Sequence, residues 1–186
     1  MTTYLRRAAS LLLACSVLLP FSGAQGRALG FGDVRVFAEI PPPGNPEETV
    51  VVGNTAYFGT TVGGDGLVAG DGQPSKIFGF HTGTGELVRE ITVEGENVNG
   101  LHGIAGMAVD AKGRLYAASV SHGILRFDLR NGAKQSLYAE LPDLPPCREP
   151  LVQPPCSPTP EDRAPLGNGI VFDRDGSLYV ADSFQA

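Results

Sequence analysis

The side chains in this sequence that are capable of chemistry are few, and most of them sit where turns are expected. There are three histidines in 186 residues. His102, in GLHG, is the candidate for general acid–base work, because imidazole exchanges protons near neutral pH. His81, in HTGTG, and His122, in SHG, have turn-like surroundings and are expected at the surface. Asp182, followed by Ser183, is a second catalytic candidate, although Asp-Ser also makes an ordinary turn. Cys147 and Cys156 lie in PDLPPCREPLVQPPCSPTPEDRAP, Pro142 to Pro165, where no helix or central strand can run through so many prolines. Two cysteines with no histidine beside them favour a disulfide over a metal pair or a reactive thiol. Such a bridge contributes about 2–3 kcal/mol, mostly by restricting the unfolded chain. GGDGLVAGDG, Gly63 to Gly72, has the glycines of a phosphate cradle but neither the following Lys-Ser/Thr nor a helix, so a plain loop is expected.

The rest of the chain must position these groups. With 25 Gly, 15 Pro and 42% hydrophobic residues it is turn-rich and apolar enough for one ordinary core. The formal charge of −6 leaves no basic surface to recommend nucleic acid as a partner. At the N-terminus, MTTYLRR precedes the apolar run AASLLLACSVLLPF, and Ser22-Gly23-Ala24 follows with small residues. This is the layout of a secretory signal peptide, 1–24, and the run is too short for a membrane span. A lipoprotein reading is poorer, because Cys15 lies inside the apolar run rather than at its end. The mature protein is therefore expected outside the cytoplasm, extracellular or periplasmic, where disulfides persist. Loss of Arg6 and Arg7 takes the formal charge from −6 to −8.

Self-comparison is the informative step. GMAVDAKGRLYAASV, from Gly106, and GIVFDRDGSLYVADS, from Gly169, agree at Gly, Asp, Gly, Leu, Tyr and Ala. A shorter copy, ETVVVGNTAYFGTTV from Glu48, puts Tyr57 in the place of Tyr116 and Tyr179. Each copy is an apolar run, a turn of Gly, Asp or Asn, and a second run, which reads as a β-hairpin. Recurrence of Asp110 and Asp173 at the turn points to turn structure rather than catalysis. A second strand pair follows: KIFGFHTGTGELVREITV, from Lys76, aligns with GILRFDLRNGAKQSLYAEL, from Gly123. One repeat is thus about four strands in roughly 60 residues, the size of a β-propeller blade with long connections.

The expected fold is all-β: a propeller of which the chain supplies about two and a half blades of four-stranded antiparallel sheet. VRVFAEI resembles SLYAELP at the end of the second repeat, so a closing strand is expected at about 34–40. Blade one is expected at about 47–93, blade two at about 104–141, a Pro/Cys insert at 142–165 and half of blade three at 166–186. Blades bury both faces against neighbours. The sequence therefore reads as an N-terminal fragment, with the remainder of the propeller missing past Ala186.

With the repeats aligned, NPEETVVVGNTAYFGTTV, HGIAGMAVDAKGRLYAASV and LGNGIVFDRDGSLYVADSFQA resemble the senescence-marker-protein, gluconolactonase and luciferin-regenerating-enzyme superfamily. The resemblance covers Val34 to Ala186. It implies a six-bladed propeller and a hydrolase that opens lactones or esters with one divalent metal near the central channel. The hairpins are also similar to those of NHL-repeat proteins and strictosidine-synthase relatives. On this resemblance Glu47 takes the place of the first-blade ligand, with Glu48 as the one-residue alternative, and Asn168 that of the third-blade ligand. The fourth-blade Asp falls past Ala186, and the second-blade polar position is Ala105. A carboxylate and an amide oxygen suit Ca²⁺ best, with Mg²⁺, Mn²⁺ or Zn²⁺ as alternatives. Read without the resemblance, Glu47 is equally a solvated carboxylate of a Pro-Glu-Glu turn and Asn168 a turn residue before Gly169. Two functional classes stand open: a metal-dependent lactonase or esterase, and a non-catalytic propeller that binds a ligand or protein on its rim. The 186 residues alone are expected to be inactive.

Overall fold

The computed structural model describes residues 30–61, 72–147, 155–159 and 161–185. The expected signal peptide and all but the last residue of GGDGLVAGDG lie outside them. Among the described residues the fold is all-β and no helix is long and apolar enough to cross a membrane. The described residues 30–35 belong to a separate unit, in which Gly30 N donates to Asp33 Oδ2 at 2.7 Å.

The second unit holds three antiparallel sheets. The first is β1(Pro46–Val52), β2(Thr55–Thr60), β3(Lys76–His81) and β4(Leu87–Thr92), paired in chain order. The second is β5(Ile104–Val109), β6(Leu115–Ser119), β7(Gly123–Asp128) and β8(Lys134–Ala139), again in chain order. The third is the hairpin β9(Gly167–Phe172) and β10(Leu178–Asp182). The segment expected as a closing strand, 34–40, carries no strand pairing among the described residues. Within it Phe37 lays its ring 6.5 Å from that of Phe58.

The repeated aspartates build the hairpin turns. Asp110 Oδ1 accepts the N–H of Lys112 and of Arg114, each at 2.9 Å. Asp173 Oδ1 accepts the N–H of Asp175 and of Ser177 at the same distance. A short carboxylate that satisfies two turn N–H groups is the reason Asp suits this place.

Strand β6 shows how the sheets stack. Successive side chains point to opposite faces, and here both faces are covered. Leu115 and Ala117, with Leu125 and Phe127 of β7, face Tyr57, Ile77, Ile91 and Val93 of the first sheet and its exit. Tyr116 and Ala118, with Ile124, face Ile170, Phe172, Leu178 and Val180 of the third sheet. A strand of apolar and small residues such as LYAAS, buried along its whole length, is what a sheet covered on both sides requires. Polar ties add to the first junction: Arg89 Nη1 donates to Leu129 O at 2.6 Å, and Gln135 exchanges two hydrogen bonds with the backbone of Glu94.

Candidate functional site

The first strands lie side by side, β1 against β5 and β5 against β9. Antiparallel pairing then puts the start of each first strand beside the end of its second strand, as in Pro46↔Thr60, Ile104↔Ser119 and Gly167↔Asp182. A Thr61↔Gly103 bridge joins the end of β2 to the approach to β5. The second and third sheets meet still more tightly, because a Cβ on Gly106 would lie 1.7 Å from the carbonyl oxygen of Asn168. Only glycine admits that backbone approach. These contacts place Glu47, Ala105, Asn168 and the ends of β2, β6 and β10 on one rim.

Each first strand is irregular at the same place. Pro46 pairs with Thr60 and Glu48 with Gly59, which leaves Glu47 as an extra residue. Ile104 pairs with Ser119 and Gly106 with Ala118, which leaves Ala105 extra. Between Gly167↔Asp182 and Ile170↔Val180, Asn168 and Gly169 stand opposite the single residue Ala181. A bulge re-aims the side chain it carries, and the three aligned positions share this irregular register while differing in burial: Glu47 is exposed, Asn168 half-buried and Ala105 buried. Glu48 is half-buried and its Oε1 accepts the N–H of Thr49 at 2.9 Å. Asn168 donates through Nδ2 to Ser183 Oγ at 3.1 Å, which fixes the amide with its oxygen turned the other way. A carboxylate and an amide oxygen presented in this manner are hard donors of the type that holds an oxygen-preferring cation. Among the described residues no group of three or more His, Cys, Asp or Glu is placed to hold a metal.

The two residues expected to exchange protons are held by the backbone. His102 is 2% exposed; Nδ1 lies 2.9 Å from Gly100 O and Nε2 2.8 Å from Gln73 O. It clasps the loop before β5 to the loop before β3, and proton exchange with a ligand would require breaking one of these contacts. Asp182 Oδ1 accepts the N–H of Leu166, Phe184 and Gln185 at 2.9–3.1 Å, and Oδ2 accepts Gln185 Nε2 at 2.8 Å. Burial raises its pKa, but these hydrogen bonds outweigh burial and leave the carboxyl below the ordinary range. Of the other histidines, His81 caps its own turn, accepting at Nδ1 from Gly83 N at 3.2 Å. His122 has a buried Nε2 without a partner and borders a 340 Å³ cleft with Ser119, Ser121 and Glu140.

The proline-rich insert reaches the same rim. Cys147 and Cys156 are bridged, and Cys147 N donates to Ser157 O at 2.7 Å. Gln185, just past Asp182, receives Leu144 N on its side-chain oxygen at 2.5 Å and donates to Pro142 O at 3.0 Å, tying the outgoing arm to the end of β10. The returning arm, Arg163 to Pro165, walls a 410 Å³ pocket with Leu101, Val120, Leu166 and Phe184. Sequence reading does not find this pocket: its lining comes from four separate loops, and only the folded insert brings them together.

Compared with protein-family models and with curated proteins, the chain matches none.

Proposed function

We propose that this chain is the N-terminal part of an exported, six-bladed propeller that hydrolyses lactones or esters with one bound divalent cation. The three sheets are consecutive blades, and further blades cover the outer face of the third. The observation that supports the reading is the bulge repeated at Glu47, Ala105 and Asn168, at the openings of three neighbouring first strands, two of which carry a hard oxygen donor there. Glu47 and the side-chain oxygen of Asn168 hold the cation, Ca²⁺ by preference, while Ser183 keeps the amide in place. When bound, the cation supplies polarisation of the substrate carbonyl and a lowered pKa for bound water. His102 and Asp182 serve this chemistry by fixing the loops that carry the rim rather than by exchanging protons with substrate. The bridged Cys147 and Cys156 agree with an oxidising compartment, hence with export.

The test is calorimetric titration of Ca²⁺ into the full-length protein and into its Glu47→Ala variant. One site in the former and at least a tenfold weaker one in the latter are expected; equal affinities would remove Glu47 from the site. A second reading, a non-catalytic rim binder, is favoured by one observation. Ala105, at the second of the three bulges, is 8% exposed and offers no polar group to a substrate. Metal binding without turnover of any lactone or ester would select it.

A further inference from the structure

We infer that the pocket between the insert and the rim seats the apolar side chain of a neutral lactone or ester, so that the substrate is an alkyl-substituted one rather than a polyhydroxylated sugar lactone. This rests on the hydrolase reading and adds the substrate class. Four of the pocket's residues are rim residues by position: Leu101 precedes β5, Val120 follows β6, Leu166 precedes β9 and Phe184 follows β10. All four are half-buried, with apolar surface that no core cluster absorbs. The pocket adjoins the proposed metal ligand, because Ser183, which holds the Asn168 amide, sits next to Phe184 in the neighbouring cleft.

Size and charge narrow the occupant. A volume of 410 Å³ is that of a small-molecule site rather than of a protein groove. Among the described residues the single charged wall residue, Arg163, is already paired with Glu161 through Nε at 2.8 Å, and its guanidinium lies 5.5 Å from the Phe184 ring centre. With that cation already paired, the largely apolar lining suits an uncharged ester before hydrolysis better than the acid after it. Sugar hydroxyls set against Leu101, Val120, Leu166 and Phe184 would lose their water partners without replacement. The hydrolysis itself balances simply: water gives its hydroxyl to the acyl carbon and its proton to the departing alkoxide, the acyl C–O bond breaks, and nothing is oxidised or reduced.

The experiment titrates the full-length protein with a homologous series of 2-alkylcyclopentanones, methyl to hexyl, which mimic the lactone ring but cannot be hydrolysed. Affinity should rise by about threefold to fourfold for each methylene that enters the pocket. Val120→Asp should flatten that dependence, and Phe184→Ser provides an independent variant should the first fail to fold. Binding that is absent or independent of chain length in the parent protein overturns the inference, as does a length dependence that survives both substitutions. Hydrolysis of the matching γ-lactones, run in parallel with Ca²⁺, separates the two readings. Turnover with no preference for chain length sinks the pocket and leaves the hydrolase standing; steep ketone binding without any turnover does the reverse.

Discussion

The second and third sheets open with nearly the same hairpin and meet opposite surroundings. In the second, Tyr116 is 1% exposed, stands opposite Ala108, and packs edge-on against Phe172 at 4.8 Å and Tyr138 at 4.9 Å. In the third, the matching Tyr179 is 58% exposed and its partner Val171 is 60% exposed. The first sheet agrees with the second: Tyr57, opposite Val50, is 5% exposed because the second sheet covers it. The repeat thus encodes an apolar outer face at all three places, and what buries that face is the next sheet, not the hairpin itself. On the third sheet the corresponding pair, Val171 and Tyr179, is left exposed among the described residues.

The comparison predicts its own largest effect. Tyr116→Ala should destabilise the chain by about 3–5 kcal/mol, as expected for truncating a large side chain packed on every side. Tyr179→Ala in the same 186-residue chain should stay within about 0.5 kcal/mol, as expected for a surface position. Urea melts of both variants decide the matter. A Tyr179 variant as damaged as the Tyr116 variant would mean that the third face is covered in solution, and the contrast would break.

The segment between those two sheets supplies the next test. Replacing both cysteines by serine should lower stability by about 2–3 kcal/mol, and the unreduced, denatured parent should titrate no free thiol from Cys147 or Cys156. Two free thiols would mean that the insert is not stapled. The cost should be felt on the third sheet first, since Gln185 fastens the insert to the end of β10. Amide exchange of β10 that is untouched by the double substitution would disconnect the staple from that sheet.

These elements differ in how openly the sequence declares them. The four-strand repeats and the Asp110 and Asp173 turns are local: apolar alternation and a short carboxylate two and four residues before the N–H groups it accepts are readable in one window. The disulfide was legible for a similar reason, since two cysteines in one stiff segment have few other uses. The bulges were not, because a bulge is a property of pairing between two strands, and Glu47, Ala105 and Asn168 share no residue type. Nor was the saturation of His102, whose second partner is the carbonyl of Gln73, 29 residues away. The proposed metal ligands therefore rest on the family resemblance, while the pocket beside them needed the folded insert.

A smaller effect separates the two matching turns. Asp110 has a side chain only 11% exposed and is paired with Arg114 at 2.6 Å. Burial pushes its carboxyl up, yet the hydrogen bonds from Arg114 and Lys112 and the guanidinium charge outweigh burial, so its pKa lies below the ordinary value. A carboxyl with a lower pKa folded than unfolded binds fewer protons in the native state. Its contribution is complete above about pH 4 and is lost as pH falls through the folded value. Asp110→Asn should therefore cost about 1–2 kcal/mol at pH 7 and shallow the acid limb of the stability profile below pH 4. The same change at the exposed Asp173 should cost about half as much. Equal losses at the two sites would show that the covering of the second sheet does not reach its turn.

The smallest effect is the most telling for function. Glu47 is exposed and stands in a bulge rather than in a ladder pair. Glu47→Ala should leave the urea midpoint of the metal-free protein within about 0.5 kcal/mol of the parent. Ala105, at the equivalent bulge of the second sheet, is 8% exposed, so Ala105→Glu forces a carboxylate into a covered place and should be the more damaging of the two changes. If removing Glu47 weakens Ca²⁺ binding while the midpoint stays put, the lost affinity belongs to the ligand and not to unfolding. If the midpoint falls as well, Glu47 is a structural part of its bulge, and the equivalence of Glu47 with Asn168 as ligands fails.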